Sequence, residues 1–283
     1  MRPAWSWQFE PDTLRPVGAA LPGMVTREWA LDGGTGAGVR VAVVDSGIEA
    51  GHPAVGSVAG GVVVERDEDA ESGVRFVEGI HEDLFGHGTA CAGIIRRAAP
   101  DCELYSVRVL GERLTGKGTV FAAGLRWALE NGMQVVNLSL STGKADYFAL
   151  FHELADAAYF KSVMLVCAVN NVPGPTYPSQ YASVFSVAAR PAGDPLRVAY
   201  NPVPPVEFGA PGIDVDVPWR GGATMRVTGN SFAAPHISGI IARILSKHPG
   251  LTPFQMKTVL VALADNNPAG TSAGPGRGRP GPA

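Results

Sequence analysis

A chain of 283 residues, 46% hydrophobic and 17% charged, carries enough apolar material for one large core and sits near the upper size of a single domain. Its 23 basic and 26 acidic residues leave a formal net charge of -3, which gives no electrostatic footprint for nucleic acid or for an anionic membrane. No apolar run is long enough to cross a bilayer, the first residues lack a secretion signal's apolar stretch, and Cys91, Cys102 and Cys167 are odd in number without metal-ligand spacing; a cytoplasmic chain with reduced thiols is expected, a Cys91–Cys102 pair remaining open.

Residues 1–20, rich in Trp and Pro, read as a lead-in, and residues 21–266 as one domain. Met24 to Leu31 suggests a short helix closed by Gly33 and Gly34. Val39 to Asp45 is β-branched and almost continuously apolar, the pattern of a strand buried on both faces of a parallel sheet, with Asp45 at its carboxyl end. The glycines at 34, 36 and 38 precede that strand, whereas a dinucleotide loop must follow one, so nucleotide binding is rejected. Val62 to Glu65 reads as a short strand and Arg66 to Glu71 as a solvated acidic loop.

From Asp83 to Ile95, glycines and small residues signal a tight entry into a helix with His87 near its start. His81 and His87 lack the i, i+4 spacing of a zinc-binding helix. Glu103 to Leu110 is the next strand, Thr115 to Gly118 the loop beyond it, and Phe121 to Leu129 follow at helical spacing, closed by Asn131 and Gly132. A strand over Val135 to Leu140, a helix over Phe148 to Phe160 and a strand over Val163 to Val169 complete the alternation. This predicts an α/β fold, a doubly wound, mainly parallel sheet flanked by helices in three layers. In such sheets the site lies beyond the carboxyl ends of the strands, where Asp45, Ser139 and Asn170 fall.

Residues 172–218 are rich in Pro and Gly, with short strands such as Val184 to Ala188. Gly229-Asn230-Ser231-Phe232-Ala233-Ala234-Pro235-His236 then sets a serine after a glycine, at the start of an apolar helix. A serine hydroxyl needs a neighbouring base to become a nucleophile, and a helix start points unpaired N–H groups at any anion forming there. Pro235 suits a first helical turn. Alone, the stretch equally describes a capped helix. A terminal helix opens near Thr252 and Pro253 and covers Phe254 to Ala264, and residues 267–283 read as a disordered, low-complexity tail.

Val43-Val44-Asp45-Ser46-Gly47-Ile48, Gly86-His87-Gly88-Thr89-Ala90-Cys91-Ala92-Gly93 and the stretch around Ser231 resemble, in their order Asp, His, Ser, the three signatures of subtilisin-like serine peptidases, the subtilases of peptidase family S8. The resemblance runs from about Leu21 to Ala264. It implies that Ser231 is the nucleophile, His87 the general base and acid, Asp45 the orienting carboxylate and Asn170 an oxyanion donor. It also implies an extended peptide or protein substrate, paired by β-augmentation between the edges at Gly116 and Gly118 and at Ser139 and Leu140.

Departures from the pattern refine this. Asn230 stands where the family has threonine, and Val169 and Ser141 where it has glycines that wall the pocket for the residue before the scissile bond. A narrowed pocket favouring small residues is therefore expected. Phe232 replaces a common methionine, and Cys91 holds the position used by thiol-dependent members. Ile94 to Cys102 runs straight to the next strand, so the calcium loop reads as deleted and no cofactor or metal is expected, the acidic residues 65–71 included. The short lead-in suggests an intracellular endopeptidase that folds unaided, with maturation of a dedicated precursor peptide among its expected tasks. A catalytically impaired peptide-binding scaffold of the same fold is the alternative, and oligomeric state stays open.

Overall fold

Side-chain alternation along the central strands decides how the layers stack. The computed structural model describes residues 21–267, so the lead-in over 1–20 and all but the first residue of the tail at 267–283 lie outside the described residues. In chain order the elements are α1 (Arg27–Leu31), β1 (Arg40–Asp45), β2 (Gly60–Arg66), β3 (Val74–Glu78), α2 (His87–Ala98), β4 (Glu103–Arg108), α3 (Gly118–Glu130), β5 (Val135–Leu138), α4 (Phe148–Phe160), β6 (Met164–Ala168), β7 (Phe185–Pro191), β8 (Ala199–Tyr200), β9 (Phe208–Ile213), β10 (Val215–Trp219), β11 (Ala223–Val227), α5 (Asn230–Lys247) and α6 (Pro253–Ala262). Nine strands form one sheet in the order β3-β2-β4-β1-β5-β6-β7-β9-β8. The strands from β2 to β9 in that order pair in parallel, and β3 and β8 close the two edges antiparallel.

Because successive strand residues face opposite ways, Val41 and Val43 of β1 enter one core while Ala42 and Val44 enter the other. The first core packs against α2, α5 and α6 through residues such as Ile95, Ile240 and Met256. The second packs against α3 and α4, where the Phe121 and Phe151 rings lie 4.5 Å apart. Three layers result, with β1, β5 and β6 buried on both faces, as their unbroken apolar runs require. No helix among the described residues is long and apolar enough to cross a membrane.

The structure departs from the sequence reading in several places. The acidic stretch after Glu65 is the tip of a β2–β3 hairpin, whose second strand carries no alternation to announce it. α1 starts at Arg27 because the Thr26 hydroxyl accepts the Trp29 N–H and caps it there. α3 begins three residues earlier than expected, at Gly118, and α6 ends at Ala262. β5 stops at Leu138, because Ser139 and Leu140 turn out of the sheet to border a cleft. β4 likewise ends at Arg108, where the Val109 and Leu110 N–H groups both reach the Asp45 carbonyl. The Pro- and Gly-rich segment supplies β7 and β9 to the main sheet and ends in the separate β10–β11 hairpin.

Candidate active site

Asp45 is the last residue of β1 and is fully buried. His87 opens α2, and Ser231 is the second residue of α5. Neither acts as a helix cap: the N-cap positions are Gly86 and Gly229, and neither helix has a side-chain cap hydrogen bond. The glycines flanking His87 answer to close packing. Gly86 has φ 114°, and a Cβ there would meet the Trp219 ring of β10 at 2.6 Å. A Cβ on Gly88 would strike the carbonyl of Gly47, two residues beyond Asp45. This proximity lets the histidine turn and the aspartate loop meet.

They meet through His87. Its Nδ1 lies 2.9 Å from both Asp45 oxygens, and its Nε2 lies 2.9 Å from the Ser231 hydroxyl oxygen. Burial is the largest single influence and opposes the charged imidazole, yet Asp45, with a further contribution from Cys91, holds His87 well above its ordinary value. Below the pair, buried Asp83 accepts five hydrogen bonds, from the Ser46 hydroxyl, the N–H groups of Phe85, Gly86 and Thr89, and the Thr89 hydroxyl. Asp83 therefore fixes the approach to His87 and ties it to the residue after Asp45. A carboxylate ahead of a glycine turn reads as a solvated loop residue, so the sequence offered no signal for this role.

The helix start at Ser231 contains a correction. Pro235 was expected in the first turn, but α5 begins at Asn230, so Pro235 lies in the second. Having no N–H, it leaves the Ser231 carbonyl without its i+4 donor. The Ser139 hydroxyl fills that place at 2.7 Å, held in turn by Asn137 Nδ2 at 2.9 Å, whose Oδ1 accepts the Ser238 hydroxyl at 2.9 Å. The Ser139 side chain thus braces the Ser231 turn while the residue also borders the cleft, and the four-residue spacing from Ser231 to Pro235 is the clue the sequence holds. Cys91 Sγ lies 3.3 Å from Ser139 Oγ and 3.9 Å from His87 Nδ1, directly beneath the site. The three cysteines are free and buried, which closes the question of a Cys91–Cys102 disulfide. Burial pushes the Cys91 thiol up, although the nearby His87 pulls the other way.

A cleft of about 400 Å³ opens above the serine. Gly116, Gly118, Ser139, Leu140, Ser141, Val169, Asn170, His87 and Ser231 all line it, so every site residue read from the sequence except the buried Asp45 borders one space. The Asn170 amide is held on both sides: its Oδ1 accepts the Ser141 hydroxyl at 2.5 Å and its Nδ2 donates to the Pro175 carbonyl at 2.9 Å. Asn230, where the family has threonine, straps neighbouring backbone together. Its Nδ2 donates to the carbonyls of Val169 and Asn170 at 3.2 and 3.0 Å, and its Oδ1 accepts the Ala189 N–H at 2.8 Å. Lys117, inside the expected Thr115–Gly118 edge, lines the cleft as well, together with Lys144 and Tyr147, for which the sequence gives no signal.

The segment that would hold a calcium loop does not fit the ion: α2 runs unbroken from His87 to Ala98 and β4 starts at Glu103. In the acidic hairpin, Glu65 is taken by Arg75 and Glu68 by Arg66. Among the described residues, the one cluster of metal-ligating side chains is Asp45, His87 and Cys91, where two of the three form the ion pair just described.

Fold and geometry together define an α/β protein with a Ser–His–Asp relay at the carboxyl end of a parallel sheet. The chain belongs to the subtilase family, whose model matches residues 36–278. It is 32% identical over 234 residues to the thermostable alkaline protease of Halalkalibacterium halodurans, a match covering 78% of this chain and 61% of that protein. It is also 32% identical to Subtilisin Savinase of Lederbergia lenta, covering 80% of this chain and 83% of that protein. A cold-adapted subtilisin-like serine proteinase of known structure superposes with a TM-score of 0.65 at 24% identity, over 83% of this chain and 86% of that one, which supports the fold.

Replacing Asp83 by alanine strands three backbone N–H groups and two hydroxyls in a buried turn. Urea unfolding should register a loss of about 3 kcal/mol, the scale of unsatisfied buried donors around a lost carboxylate. A loss within the range of surface substitutions would contradict the assigned role.

Proposed function

We propose that the protein is a serine endopeptidase in which Asp45, His87 and Ser231 act as a catalytic triad. The observation that carries this reading is the His87 ring, 2.9 Å from Asp45 on one side and 2.9 Å from Ser231 on the other, at the base of the cleft. Ser231 Oγ attacks the scissile carbonyl as its proton passes to His87 Nε2, and Asp45 stabilises the imidazolium that forms. The tetrahedral oxyanion receives the Ser231 N–H and the Asn170 amide hydrogen not given to Pro175. In subtilisin, loss of the matching donor costs about 10²–10³ in turnover. Collapse breaks the C–N bond, His87 protonates the departing amine, and a water deprotonated by His87 releases the acyl group from Ser231.

An extended peptide lies between the Gly116–Gly118 and Ser139–Ser141 edges, with its small residue before the scissile bond against Ser141 and Val169. The Ser141 hydroxyl, bonded across to Asn170, supports this narrowing, and also means that Ser141 orients the oxyanion amide. The three free thiols fit a reducing compartment such as the cytoplasm. The unbroken α2 fits a peptidase without a calcium site at that helix.

A fluorophosphonate probe should label the wild type and leave folded Ser231→Ala unlabelled. Absence of labelling in folded wild type would favour the peptide-binding scaffold. In a peptide library, cleavage should be best after Ala, Ser or Gly. The double change Ser141→Gly with Val169→Gly should raise relative cleavage after Phe while lowering kcat on the best small substrate, because Asn170 loses its tether. Preferred cleavage after Phe or Tyr by the wild type would contradict the narrowed pocket.

A further inference from the structure

The cleft carries charge of one sign only. Lys117 and Lys144 both line it, and none of its lining residues is Asp or Glu. The chain's other lysines are each tied to oxygen: Lys161 donates to the Leu129 carbonyl at 3.3 Å, Lys247 to the Glu28 carbonyl at 3.0 Å, and Lys257 to Glu207 at 2.6 Å. The ammonium groups of Lys117 and Lys144 make no hydrogen bond or ion pair among the described residues. The nearest acidic residues along the chain, Glu112 and Asp146, are exposed and do not line the cleft.

The two lysines come from opposite banks. Lys117 lies between Gly116 and Gly118, ahead of α3, and Lys144 follows the Ser139–Ser141 edge, ahead of the short 3-10 turn Ala145–Tyr147. The banks converge at Tyr147, whose ring packs against Gly118 so closely that a Cβ on that glycine would strike it. On the peptidase reading, which lays the peptide between these two edges with Ser141 and Val169 around the residue before the scissile bond, both lysines flank the residues upstream of that bond. Two unpaired lysines bordering one groove raise the local concentration of anionic chains there and penalise cationic ones.

Resting on the peptidase reading above, we propose that the protein selects peptides with carboxylate side chains upstream of the scissile bond, received by Lys117 and Lys144. Alanine before the scissile bond suits the pocket, and Glu, Gln or Lys in the upstream positions tests the charge. Wild-type kcat/KM should rank Glu over Gln over Lys, with about a tenfold span from Glu to Gln for two surface charge contacts. The span should shrink as salt is added, since exposed charges are screened over about 10 Å at 0.1 M ionic strength. The double change Lys117→Gln with Lys144→Gln should collapse the ranking.

Binding of the same fluorescently labelled peptides to Ser231→Ala separates this inference from the activity. Tighter binding of the Glu peptide, lost in the triple variant that also carries both lysine changes, supports the inference whether or not wild type turns peptides over. Equal binding of Glu and Lys peptides, or a ranking that survives both lysine changes, overturns it. No turnover of any peptide by folded wild type overturns the peptidase reading alone.

Discussion

The site depends on one buried contact, the Asp45 carboxylate against the His87 imidazole. Asp45 is fully buried at the end of the strand, and His87 is nearly so. A carboxylate withdrawn from water is tolerated only when hydrogen-bonded and paired, so the imidazole is held beside it by electrostatics and by steric fit. The pair has opposing consequences. Because the His87 value is raised on folding, its stabilisation is fully present below the ordinary histidine value and is lost as pH rises through the folded value. The proposed chemistry needs the neutral imidazole, which dominates only above that folded value. Conditions that favour catalysis thus weaken the contact that organises the site, and the Asp83 network supplies order that does not depend on the His87 proton.

The serine side is held by different means. A helix carrying a proline four residues after Ser231 cannot satisfy the Ser231 carbonyl internally. The Ser139–Asn137–Ser238 chain does so instead, bonding the turn to the sheet. Asn230 ties the same turn to Val169, just beyond β6, and to Ala189 within β7. The position that differs from the family's usual threonine therefore acts through the backbone that presents Asn170. Its hydrogen bonds supply a physical reason why an asparagine is compatible with the oxyanion site proposed at Asn170.

Much of this was legible in the sequence for identifiable reasons. The doubly buried strands show as unbroken apolar runs, and the three functional residues sit in short motifs whose glycines answer to close approaches. Asp83 was not legible, because its five donors come from three separate stretches around residues 46, 85 and 89. The bracing role of the Ser139 hydroxyl was not legible either, because a strand-end position does not reveal where a hydroxyl points. β9 and β10 escaped notice because short strands interrupted by Pro211, Gly212 and Pro218 lack a clear period of two. The pairing of Lys117 with Lys144 across the cleft depends on two loops meeting at Tyr147, which no local pattern announces.

The most direct test of the central contact is a titration of His87 by NMR, followed in wild type and in Asp45→Asn. In wild type the imidazole should titrate well above its ordinary value, because Asp45, aided by Cys91, acts against burial. The rising limb of kcat/KM with pH should follow the same value. In Asp45→Asn, burial acts without the compensating charge, so the titration should fall below the wild-type value, with activity reduced by about 10⁴-fold. A His87 that titrates identically in the two proteins, or near the ordinary value in wild type, would contradict the account.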